Sequence, residues 1–131
     1  MIQVGTILKV CDKTGVNTVQ CIKVLGSYKK RIAYIGDVII VSIISINSKK
    51  FLNMKLFKKK RFLKGTLHRA LIVRFKCFYK RTNQILIKFN ENSVILINKK
   101  TVPISNRIYG PIPIELCRKW PSLGCITRFM I

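Results

Sequence analysis

The side chains able to do acid–base, nucleophilic or metal chemistry are few and far apart. The acids are Asp12, Asp37, Glu91 and Glu115, and the single histidine is His68. General acid–base catalysis needs such groups to converge with tuned pKa values, and no pair here is set by a recognisable spacing, so no enzyme is expected. The cysteines Cys11, Cys21, Cys77, Cys117 and Cys125 include no Cys-x-x-Cys pair. Zinc sites use tight ligand pairs, usually with histidine, so no metal and no cofactor is expected. Reduced thiols packed as small hydrophobes are expected instead. What the chain does hold in quantity is cations, 26 Lys+Arg for a formal charge of +22. Their chemistry is electrostatic. A charge this high repels itself unless a polyanion is the partner, either nucleic acid or an anionic membrane surface.

The elements that must hold these cations follow from hydrophobic patterning. With 131 residues the chain can build one domain with a real core, and a 49% hydrophobic content excludes a disordered basic tail. Cys21–Leu25 and Val38–Ile46 are rich in β-branched residues and predict two strands joined by a turn that starts at Gly26 and carries Lys29, Lys30 and Arg31. Tyr28 and Tyr34 stand in this turn, available to stack or to bond sugar and phosphate. Upstream, Ile2–Asp12 predicts one or two short strands, and Asp12-Lys13-Thr14-Gly15 a turn in which Asp12 is structural. Downstream, Leu67–Cys77, Ile85–Phe89 and Ser93–Asn98 predict strands, with Lys80–Gln84 a polar turn and Asn90-Glu91-Asn92 a tight connection between the last two. Pro111 and Pro113 introduce a helix of about two turns ending at Trp120, which Pro121 stops, and the tail to Ile131 reads as irregular.

Several short strands and one late helix predict a mainly β domain, a small five-stranded antiparallel β-barrel over residues 1–131 with a short C-terminal helix at 111–120. Residues 47–64 break the pattern. Eight cations alternate irregularly with apolar residues there and fit neither a period of 2 nor of 3.6. This segment reads as a basic extension that orders against RNA, since an amphipathic membrane helix would keep an unbroken apolar stripe. No apolar run approaches the roughly 20 residues that span a bilayer, so no membrane partner is expected. The N-terminus opens directly on strand-like sequence with no leader pattern; the chain is made where it works, or a leader has been removed.

The order of segments resembles a known family. Met1-Ile2-Gln3, Cys21–Gly26, Ile35-Gly36-Asp37-Val38-Ile39, Ala70–Val73, Val94–Asn98, Pro103–Pro111 and Glu115-Leu116 are similar, in collinear order, to ribosomal large-subunit protein fourteen in its bacterial and organellar form. The resemblance implies a five-stranded barrel that is a structural constituent of the large subunit and binds large-subunit rRNA. It implies a position facing the small subunit, contact with a neighbouring large-subunit protein, and a share in an intersubunit bridge to small-subunit rRNA. It further implies that the late loop, at Asn106, Arg107 and Tyr109, and the C-terminal helix receive the ribosome silencing factor. The chain departs from the family pattern at Gln84, where the family has Gly, at Thr66, where it has Asp, and at Asn106, where it has Thr.

From charge alone, the expected rRNA contacts are Lys9, Lys13, Lys23, Lys29, Lys30, Arg31, Arg74, Lys76, Lys80, Arg81 and Arg107. Recognition of backbone shape and 2′-hydroxyls is expected, because the deep major groove of A-form RNA excludes side chains. The alternative is a free-standing OB-like single-stranded RNA-binding protein, which would need a compact pair of exposed aromatics on one strand. The 21 Ile, 18 Lys and 8 Asn against 2 Ala indicate an AT-rich coding sequence. With the extension and the divergence, this points to a mitochondrial matrix ribosome, or alternatively to a plastid one.

Overall fold

The computed structural model describes residues 1–47, 62–81 and 83–131. Most of the 47–64 extension therefore lies outside the described residues, as does Thr82.

Five strands close a barrel: β1 (Ile7–Val10), β2 (Val16–Val24), β3 (Val38–Ile46), β4 (Leu67–Arg74) and β7 (Ser93–Ile97), in the order β1-β2-β3-β4-β7. Four seams are antiparallel or lead into antiparallel neighbours as expected, but the barrel closes through a parallel pair, with Lys9 opposite Ser93 and Val10 opposite Val94. Alternation along β3 sends Ile39, Val41 and Ile43 into the barrel, where they meet Leu8, Val19, Cys21, Ala70, Ile72, Val94 and Leu96.

β4 and β7 do not alternate between dry and wet faces. All of β7 is buried, and so is β4 from Ala70 onward. Their outward residues Leu71, Val73, Ile95 and Ile97 form a second core with Ile108, Ile112, Leu116 and Leu123. Burial on both faces is why these stretches read as continuous apolar runs. The covering layer is α1 (Ile114–Lys119) and α2 (Pro121–Gly124). Pro121, expected to stop the helix, also starts α2, because its missing N–H and restricted φ suit a first helical position. The tail is tied down: Ile112 donates to Phe129 O at 3.1 Å and accepts from Ile131 N–H at 3.0 Å.

One expected pairing is corrected. β6 is only Leu86–Ile87, and it joins β5 (Tyr79–Lys80) in a separate two-stranded ribbon instead of forming a hairpin with β7. Asn92 cannot serve as a simple hairpin tip, because its carbonyl accepts Lys9 N–H at 2.9 Å and its side chain accepts Lys76 N–H at 2.9 Å. The ribbon's turn keeps its geometry without glycine, since Gln84 adopts φ 63°.

Candidate nucleic-acid interface

The signs of charge are segregated. None of the four acids is exposed, whereas most of the cations are. Asp12 is buried and accepts the backbone N–H groups of Thr14 and Leu96, each at 2.9 Å, and the Thr14 hydroxyl. These bonds offset the cost of burying a carboxylate and peg the β1–β2 turn to β7. The other three acids pair with candidate cations: Asp37 with Lys30 at 2.8 Å, Glu115 with Arg81 at 2.7 Å, and Glu91 with Arg74 at 2.9 Å and Lys9 at 3.2 Å. Burial opposes ionisation of Glu91, but bonds from Lys9 and Ser93 and the charge of Arg74 outweigh it and hold the carboxyl below its ordinary range.

Arg74 is thereby corrected as a phosphate contact. A bulge between Ile72 and Arg74 reverses the facing of β4 at its end. Phe75 enters the barrel core, and Arg74 turns to the outside layer. There its guanidinium, 5% exposed, donates to Tyr109 O, Pro111 O, Glu91 Oε1 and Ser93 Oγ. It is an internal brace for the loop ahead of α1. Gly110 makes the approach possible: it has φ 86°, and a Cβ there would overlap Arg74 Nη1 and lie 3.0 Å from Cζ. Arg81 also faces inward, toward Glu115 and the Ile131 carbonyl.

Among the described residues, Lys13, Lys23, Lys29, Arg31, Lys76 and Lys80 are exposed and enter no ion pair. The fold brings several together. Ile2 and Ala33 exchange both backbone bonds, at 3.0 and 2.8 Å, which lays the N-terminus beside the basic loop. A groove of about 460 Å³ results, lined by Lys23, Lys30 and Arg31 together with Tyr28, Gln3 and Val4. Gln3 and Val4 were not among the expected residues, and nothing local in sequence marks them. Of the two tyrosines in this region, Tyr34 packs edge-on against Phe75 at 6.4 Å and is 51% exposed, whereas Tyr28 is 97% exposed.

A second cluster lies at the late loop. Ser105 Oγ accepts Lys13 N–H at 3.0 Å and also bonds both backbone groups of Arg107, so Lys13 and Arg107 share one corner. The Arg107 guanidinium lies over the Tyr109 ring at 5.7 Å, and Asn106 is exposed beside them. Lys99, Lys100 and Arg69 form a third basic edge, tied by a 3.3 Å bond from Arg69 to Lys99 O; the Lys99-Lys100 pair was the available signal for it. His68 is half-buried, with Thr66 Oγ1 3.0 Å from its Nε2 and its ring edge-on to Phe62 at 5.0 Å. Burial raises the thiols of Cys11, to about 12, and Cys21, as packed hydrophobes should be; Cys77 and Cys125 instead are exposed.

One family model matches the chain over residues 1–131, the whole of this sequence. The chain belongs to the ribosomal protein L14p/L23e family. A member of this family is a structural protein of the large ribosomal subunit in translation and not an enzyme, and its partners are ribosomal RNA and other ribosomal proteins. Asp37 accepts Tyr34 N–H at 2.9 Å and anchors Lys30, so this acid shapes the basic loop.

Proposed function

We propose that this chain binds large-subunit rRNA by clamping backbone phosphates with the loop after β2 and the adjoining end of the barrel. The observation that carries this reading is the groove in which Lys23, Lys30 and Arg31 converge beside exposed Lys29, on a surface without an exposed acid. Lys13, Lys76 and Lys80 extend the contact, while Lys9, Lys30 and Arg81 contribute less because Glu91, Asp37 and Glu115 already hold them. Each phosphate neutralised should contribute about 0.7–0.9 to the slope of log affinity against log salt.

The late loop serves protein contacts. Asn106, Arg107 and Tyr109 receive the ribosome silencing factor, and the same region takes part in an intersubunit bridge to small-subunit rRNA and touches a neighbouring large-subunit protein. Support comes from apolar side chains left exposed at Tyr109 and on the segments paired just after it, Ile114, Phe129, Met130 and Ile131. The AT-rich composition supports work in a mitochondrial ribosome, with a plastid ribosome as the second source.

The test is co-sedimentation of the chain with large ribosomal subunits from fractionated organelles in high salt. Recovery in the free fraction, with lipid or free single-stranded RNA bound, would overturn the reading. Arg107→Glu should weaken silencing-factor binding while leaving subunit incorporation largely intact; loss of incorporation would make Arg107 an RNA or structural contact.

A further inference from the structure

We infer that the groove beside the basic loop is a seat for one unpaired nucleotide, with Tyr28 as the stacking surface for its base. The inference rests on the rRNA-binding reading and names the feature of RNA that this site selects.

Tyr28 is 97% exposed, an unusual state for a ring of its size. The turn that carries it is braced. The loop folds back at Ser27–Lys30, closed by a 3.3 Å bond from Lys30 N–H to Ser27 O. Lys30 is anchored in turn to Asp37 at 2.8 Å, and its side chain lies against Gly26, whose φ of 130° sets the start of the turn. The backbone beneath the ring is therefore a braced turn, and only the side chain itself has to be ordered on binding.

The walls of the groove fit a nucleotide better than a duplex. Val4, 62% exposed, supplies apolar surface, Gln3 supplies an amide, and Lys23, Lys30 and Arg31 supply cations. A duplex presents phosphates on a convex surface and keeps its base faces stacked inside, so it would leave both the ring and the apolar surface unused. An extruded nucleotide offers a flat apolar face for Tyr28, hydrogen-bonding edges for Gln3 and a phosphate for the lysines and Arg31.

The probe is a pair of RNA hairpins of equal length, one fully paired and one carrying a single bulged 2-aminopurine, titrated with the full chain. The bulged hairpin should bind more tightly, and 2-aminopurine emission should fall as the base stacks. Tyr28→Ala should weaken binding of the bulged hairpin by about five- to a hundred-fold and leave the paired one unchanged. The salt dependence should stay the same, because no phosphate contact is lost. Tyr28→Phe should keep the preference. Equal affinity for the two hairpins, or unchanged emission and affinity on Tyr28→Ala, would overturn the inference. The phosphate reading fails separately, if Lys23→Ala, Lys29→Ala and Arg31→Ala together leave affinity and salt slope unchanged for both hairpins.

Discussion

Replacing Gly110 by alanine tests the internal brace that positions the late loop. Two costs are expected. Alanine at φ 86° pays about 1–2 kcal/mol for the left-handed conformation. The new Cβ would also overlap Arg74 Nη1, forcing the guanidinium off at least one of its bonds to Tyr109 O and Pro111 O. A charge-assisted bond of this kind contributes about 1.5–3 kcal/mol. Together the loss comes to about 3–5 kcal/mol, a fall in Tm of roughly 10–20 °C for a domain of this size. The assay is urea or thermal unfolding of the full chain, in about 0.3 M salt so that its own repulsion is screened. The deciding measurement is a double-mutant cycle with Arg74→Met. Without the guanidinium, Gly110→Ala should cost only the dihedral part, leaving a coupling of about 1.5–3 kcal/mol. Equal costs in the two backgrounds would refute the claim that Gly110 is required by Arg74.

Two further outcomes follow from local geometry. Gln84 and Thr101 both adopt positive φ, 63° and 62°. Gln84→Gly and Thr101→Gly should each raise stability by about 0.5–1 kcal/mol, more for β-branched Thr101, as read from urea midpoints. Burial lowers the pKa of His68 from its ordinary 6.5, so the folded state binds fewer protons there than the unfolded chain. Its contribution to stability is present above about pH 6.5 and is lost as pH falls below it. Urea midpoints should therefore decline from pH 7.5 to pH 5.5, and His68→Gln should flatten that decline; an unchanged slope would count against it.

Much of the architecture was legible because period-2 patterning is local. β2 and β3 appear where alternating β-branched residues predict them, and the helix after Pro113 starts as expected. The hairpin expected from Ile85 to Asn98 failed because strand partnership is not a local property. The backbone of Leu86–Ile87 finds Tyr79–Lys80, while the connection before β7 is claimed by Lys9 and Lys76.

At the candidate site the same division holds. Net charge, the scarcity of acids and the collinear family pattern are properties of composition and order, and they by themselves indicated a barrel with a polyanionic partner. Which cation faces outward is decided only by the folded chain. A one-residue bulge in β4 exchanges the facings of Arg74 and Phe75, and so turns an apparent phosphate ligand into an internal brace. The groove at Tyr28 likewise needs residues 3 and 4 to meet residues 23 to 31. That meeting rests on the paired backbone bonds between Ile2 and Ala33, which no local pattern encodes.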